Sequence, residues 1–495
     1  MTLPEADEHK LKQSRRSGVY RVAAVVFAAL SLAWPALYNR FPLLYPDSMA
    51  YLNDGPLVAR AVFLHRLSND YGVRSLYYSL GILPFHWNVT AWPIVGVQCL
   101  LAAWVVWLVV RSIAVRRAAT CYLILMLLLS LLTSAGWYAS FVMPDILGPV
   151  LYLSIFLLVF ARDTLSRGER WALYPVSVWA ITSHATHLLL AGLLCVVVAL
   201  FTILRGGRQR CEFRAVAEIA ALVAVAVAAQ LALYSSLYGK LCLNGEHPPF
   251  VMGRLIDDGP AREYLEKNCG RLHWAVCKHL PELSKGADPF LWDEDGVYQG
   301  SPAKEQAQLS SEEMPLIVAT VRAYPRQQLA RSAANFREQL VRFAPYGFGP
   351  TDWILAQFDH VLPASRTGYV DSRQARDDVP VDFFEPIQFW TVVAALVVMA
   401  ALVPLLWRRH SARLAALALV IISMVVANAA VTGALSVVDD RYQCRVIWLI
   451  PLLAGVTVLD WLEQRRADHA GQPGRFGGQF RSRLRSWAQW RPRRR

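Results

Sequence analysis

The chain has 495 residues, 55% of them hydrophobic and only 18% charged, with a mean hydropathy of +0.32. A soluble globular protein carries nearer a quarter charged residues, so this composition excludes one and predicts an all-α polytopic membrane protein. The net charge of +13 is no nucleic-acid signature: between Arg465 and Arg495 ten arginines face one acid, Asp468, supplying +9 of it. A basic tail beside a last apolar helix reads as a cytoplasmic anchor on anionic lipid.

In chain order, a short tail (1–18) precedes an apolar segment at 19–38. That segment has a basic leading side (Arg15, Arg16) but is long for a signal-peptide core and lacks a clean A-x-A site, so it reads as a retained helix. Residues 92–110 return to Arg111, Arg116 and Arg117, 118–135 go out, and 146–160 return to Arg162, Arg167 and Arg170. The stretch 171–204 is too long for one simple crossing. Interrupted by Thr182, Ser183, His184, Thr186 and His187, it predicts two short helices meeting near the outer face.

Residues 215–236 then exit, 387–407 return to Arg408, Arg409 and His410, 412–435 exit, and 444–462 re-enter ahead of the tail (463–495). About ten crossings result, with both termini inside and the basic clusters on the cytoplasmic side. The organisation is an N-terminal membrane module (19–237), an extracytoplasmic, mainly helical domain (238–386) and C-terminal membrane helices (387–462). The first outer loop, 40–91, predicts an amphipathic helix with Leu67, Tyr71, Leu76 and Leu80 toward lipid.

Eight cysteines include no C-x-x-C pair, so a structural zinc site is not expected. Cys242, Cys269, Cys277 and Cys444 fall on the outer, oxidising side, where a disulfide is expected. Their spacing leaves the pairing open.

Chemistry-bearing residues gather on that same face. Asp47, in Tyr-Pro-Asp-Ser directly after the first apolar segment, suits either a helix cap or a general base taking a proton from an acceptor hydroxyl. Arg74 and Tyr51 are candidate contacts in the same loop. Asp145, in Met-Pro-Asp, stands at a helix start, where its charge is favoured, and is a possible second acid. His184 and His187 share one helical face at membrane depth, where polar residues line cavities or bond between helices. Arg441 and Arg445 are four apart, so both guanidinium forks point one way if the segment is helical; such forks suit phosphate oxygens.

An acid after the first membrane helix, a Pro-Asp in the next outer loop, a broken mid-chain helix and a late outer Arg-Tyr resemble the GT-C superfamily. These are polyprenyl-phosphate-sugar-dependent integral membrane glycosyltransferases, similar to protein mannosyltransferases and aminoarabinose transferases. The resemblance covers residues 19–237 and 387–462. It implies Asp47 as catalytic base, a polyprenyl-phosphate-linked sugar as donor, and a cell-envelope glycan, lipid or protein as acceptor. It further implies the outer face of a bacterial inner membrane as location. No cofactor is required by this chemistry, and the residues leave any divalent metal open. Two departures stand out: no second acid adjoins Asp47, and the outer domain is inserted before the last three crossings rather than following the last helix. Alternative readings are a transporter or flippase for a lipid-linked precursor and a membrane-anchored assembly protein. The clustering of polar residues on one side argues against transport, which needs a path through both faces.

Overall fold

A computed structural model describes residues 5–67, 71–114, 118–204, 210–245, 247–406 and 412–469; most of the basic tail, from 470 onward, lies outside them. Among the described residues the chain is mainly helical and forms no strand, with one isolated parallel β-bridge, Leu43 to Phe141. Six helices are long and apolar enough to cross a bilayer: Trp92–Ile113, Ala185–Leu204, Phe213–Tyr238, Val381–Leu402, Ala412–Leu435 and Asp440–Arg466. The protein is therefore an all-α, membrane-type chain, with six such helices where ten crossings were expected.

The difference has local causes. Three further expected crossings are the shorter apolar helices Gly18–Leu32, Ala118–Leu132 and Pro144–Phe160, and the fourth is Arg167–Thr182. Pro35 opens a new helix at Trp34–Asn39, because proline suits a first turn and not a helix interior. The hydroxyl of Thr133 bonds the Leu129 carbonyl and accepts from the Ala135 amide, turning the chain after Leu132. The break in 171–204 falls at Ser183 and His184.

Helix Leu147–Phe160 is the hub. It is apolar on all sides and buried from Leu147 to Leu158, as a helix surrounded by other helices should be. Trp92–Ile113 and Asp440–Arg466 bury 67% of their apolar windows, whereas Val381–Leu402 and Phe213–Tyr238 bury 17% and 28%. The first pair are consequently central and the second pair peripheral.

The two ends of this bundle are both polar. At one, Arg111 binds both oxygens of Glu169, Arg162 meets Glu218 and Tyr174, and Arg413 meets Asp163. The other end holds Asp47, Asp145 and Arg441.

The inserted segment is not one block. Met252, Ile256, Leu265, Val276, Phe290, Leu309 and Leu316 form a cluster of their own, closed on one side by a Cys269–Cys277 disulfide. Phe348, Ile354, Phe358, Leu362 and Tyr369 instead join the principal core beside Phe41 and Trp137. Between them, helix Pro325–Val341 lies against Ala412–Leu435 at Gly433, where a Cβ would stand 2.9 Å from the Asn335 carbonyl oxygen. Buried Asp258 ties that helix to the smaller cluster, accepting from Arg254 (2.6 Å), Gln328 (2.9 Å) and Asn335 (2.9 Å).

The first outer loop also differs from expectation. It forms two helices, Pro46–Leu64 and Leu76–His86. Leu76 is fully buried, and Tyr71 and Leu80 pack with Leu233, Tyr234 and Leu237. Of the four residues assigned to lipid, only Leu67 is exposed, because the C-terminal end of Phe213–Tyr238 covers the others.

Candidate functional site

Asp47 is placed by pairing of extended backbone. The Leu43 amide donates to the Ser140 carbonyl (3.1 Å) and the Val142 amide to the Leu43 carbonyl (3.0 Å), which aligns the Tyr-Pro-Asp and Met-Pro-Asp loops. Buried Gln374 then acts as a third partner: its Oε1 accepts from the Leu44 amide (3.0 Å) and its Nε2 donates to the Leu44 carbonyl (2.6 Å). Asn39 Oδ1 in turn accepts from the Gln374 amide at 2.7 Å.

Helix Pro46–Leu64 begins here with Tyr45 as its cap residue and Pro46 in its first turn. The Ser48 hydroxyl accepts from the Tyr45 amide (2.9 Å), so Asp47 is not the cap. Its carboxylate, in the first turn where the helix dipole favours an anion, pairs with Arg74 Nη2 at 2.7 Å. Asp47, Tyr51 and Asp54 follow at i, i+4 and i+7, one face of the helix. Tyr51 is buried and meets Tyr78 edge-on at 4.8 Å. Burial, then the Asp47 charge, pushes its hydroxyl well above the ordinary tyrosine range.

Beside this pair lies a buried arginine cluster. Asp439 caps helix Asp440–Ile447, accepting from the Arg441 amide at 2.7 Å, and Asp440 pairs with Arg342 at 2.7 Å. Arg441 is thereby left to turn inward with Arg445. Asp145 Oδ1 lies 3.6 Å from Arg441 Nε and 3.5 Å from Arg445 Nη1, attraction without a hydrogen bond. Both Asp145 oxygens, Arg441 Nε, Arg445 Nη1, His187 Nε2 and the Tyr152 hydroxyl have no hydrogen-bond partner among the described residues. Each buried unpaired polar group costs on the order of 1–3 kcal/mol, so this concentration calls for a functional explanation.

The cluster is framed by Thr186, part of the polar break read from sequence, and by Asn428, Tyr45 and Gly347, which sequence reasoning gave no role. Arg445 Nη2 donates to Asn428 Oδ1 (3.1 Å) and to the Thr186 hydroxyl (3.3 Å). The Arg441 guanidinium covers the Tyr45 ring at 4.4 Å, and Gly347 (φ +89°) lies under that ring, where a Cβ would come within 3.2 Å. Tyr45 thus joins the arginine cluster to Asp47 two residues on. Burial raises its hydroxyl to about 12, despite the opposing Arg441 charge, so it is neutral at physiological pH. The aromatic directly before Pro46 was the available signal.

His184 and His187 stand with ring centroids 5.3 Å apart. His187 Nδ1 bonds the Ala180 carbonyl (2.8 Å) and so carries the proton, and its Nε2 faces Gly148, whose added Cβ would sit 3.0 Å away. His184 Nδ1 accepts from the Thr186 amide at 3.2 Å. The structure therefore brings Asp47, Arg74 and Tyr51 together, and Asp145, Arg441, Arg445, His184 and His187 together, with Tyr45 between the two sets.

Asp54 is a further residue not singled out from sequence. It is buried, its Oδ2 lacks a partner, and a Cβ on Gly72 would lie 2.5 Å from that oxygen. Burial raises its carboxyl to about 7. No group of three or more His, Cys, Asp or Glu side chains suited to a metal ion occurs among the described residues. A small cavity near Leu32, Met126 and Trp448 has an apolar lining and carries no chemistry. Comparison of the chain with known protein families, curated proteins and solved structures returns no match.

Proposed function

We propose that this chain is an integral membrane glycosyltransferase of GT-C type, moving a sugar from a polyprenyl-phosphate donor to a cell-envelope acceptor on the outer face of the inner membrane. The observation that carries the reading is the convergence of an ion-paired acid, Asp47, with two buried arginines that share one counter-ion. These groups come from segments about 400 residues apart and meet at one polar end of an apolar bundle.

In this mechanism Asp47, oriented by Arg74, takes the proton from the acceptor hydroxyl as that oxygen bonds the sugar's anomeric carbon. The bond from that carbon to the phosphate oxygen breaks, and polyprenyl phosphate leaves with the electron pair. Arg441 and Arg445 stabilise the charge growing on the phosphate, with Asp145 offsetting the repulsion between the two forks until the anion arrives. Ten crossings, with the four shorter helices spanning a locally thinned bilayer, would put both termini in the cytoplasm and this end outside.

The test compares envelope glycans and polyprenyl-phosphate sugars by mass spectrometry in a deletion strain carrying wild type or Asp47→Asn. Loss of one sugar from a glycan, with its lipid donor accumulating in both the deletion and the variant, is the expected result. Full rescue by Asp47→Asn would reject the mechanism.

A further inference from the structure

The two terminal nitrogens of Arg445 meet different surroundings. Nη2 donates to Asn428 Oδ1 (3.1 Å) and Thr186 Oγ1 (3.3 Å), whereas Nη1 has no hydrogen-bond partner among the described residues and lies 3.5 Å from Asp145. The guanidinium is planar, so holding Nη2 also fixes where Nη1 points. Each acceptor is turned toward the arginine by a further partner. Asn428 Nδ2 donates to the Tyr442 carbonyl (2.7 Å) and to Gln443 Oε1 (3.0 Å), which leaves its Oδ1 for Arg445. Thr186 Oγ1 lies 2.8 Å from His184 Nδ1, and the same ring nitrogen accepts from the Thr186 amide at 3.2 Å. A ring nitrogen that accepts from an amide carries no proton. His184 is therefore neutral with its hydrogen on Nε2. The Thr186 hydroxyl gives its hydrogen to Nδ1 and keeps its lone pairs for Arg445.

From this chain of bonds we infer that Thr186 and His184 are positioning residues for the anion site. His184, an acceptor at Nδ1, sets the direction of the Thr186 hydroxyl, and Thr186 together with Asn428 holds Arg445 so that Nη1 stays available to a phosphate oxygen. His184 thus acts through Thr186 and not on the phosphate itself. The helix break supplies the geometry: Thr186 lies in the first turn of Ala185–Leu204 and His184 immediately before it, so one hydroxyl spans the gap between the ring and an arginine 259 positions later. A protonated Nδ1 would turn the hydroxyl hydrogen away from the ring and toward the guanidinium, and the hold on Nη2 would be lost. The assignment rests on the transferase reading, which makes Arg445 a phosphate ligand.

Calorimetric titration of farnesyl phosphate into the full chain in nanodiscs, with empty nanodiscs as blank, tests it without turnover. Thr186→Val, which keeps the shape and drops the hydroxyl, should weaken binding about tenfold or more, and Thr186→Ser should restore it. His184→Asn, whose amide oxygen can stand in for Nδ1, should bind nearly as wild type does, while His184→Phe should follow Thr186→Val. Nitrogen-15 NMR of the histidine-labelled chain, with the His184 signals assigned by their loss in His184→Asn, should show Nδ1 without a proton. Wild-type affinity in Thr186→Val, equal losses in His184→Asn and His184→Phe, or a proton on Nδ1 would overturn the assignment. Arg445→Gln separates the two levels. If it alone loses affinity, the positioning role falls and the phosphate reading stands; if it too binds as wild type does, the phosphate reading falls and takes this inference with it.

Discussion

Asp145 is the residue on which the arginine cluster depends. Removing one member of a buried charge set leaves the others uncompensated, at a cost of about 3–5 kcal/mol. Asp145→Ala should therefore lower the thermal midpoint by several degrees, whereas Asp47→Asn, whose partner Arg74 is partly exposed, should lower it little; differential scanning fluorimetry separates the two. Asp54 makes the opposite kind of contribution. Its folded pKa of about 7 stands above the ordinary 3.8, so the folded state holds a proton that the unfolded state releases. Stability linked to Asp54 is accordingly full below about pH 4, falls as pH rises, and levels off above about pH 7. Melting at pH 5, 6, 7 and 8 should show wild type losing stability over this window relative to Asp54→Asn; parallel curves would refute the assignment.

At the scale of elements, the backbone pairing that places Asp47 depends on one amide side chain. Gln374→Leu keeps the volume but leaves the Leu44 amide and carbonyl unpaired, about 1–3 kcal/mol for each buried group. The variant should fold and insert yet lose transfer about tenfold or more, and Gln374→Glu, which sets a buried carboxylate against the Leu44 carbonyl, should lose at least as much. Steady-state transfer normalised to folded protein would decide. This clamp was not legible in the sequence, because a glutamine standing in for a strand leaves no periodic trace. The i, i+4 spacing of Arg441 and Arg445 was legible, since helical geometry alone puts them on one side. The break at His184 was legible for the same reason, as polar residues interrupt an apolar run. The Asp47–Arg74 pair was visible only as two charges in one loop; the turn that joins them is tertiary. Asp145 offered capping as a sufficient account, and nothing local showed that two arginines some 300 residues later would bury it.

For the whole molecule, hydropathy identified the membrane class but overstated the number of helices long enough to span. A helix such as Leu147–Phe160, enclosed by its neighbours, need not match the bilayer, and hydropathy does not distinguish enclosure from contact with lipid. The inserted segment looked like one domain from its charge and proline content, yet its second half belongs to the principal core. That division bears on the order of synthesis. Leu44 waits for Gln374, a separation of 330 residues, and Tyr45 waits longer still for Arg441. A nascent chain threading into the membrane thus carries its acid for most of its elongation without the parts that aim it. The two buried arginines arrive only with the final apolar segment, so on the transferase reading a truncated chain lacks the groups that would meet the leaving phosphate.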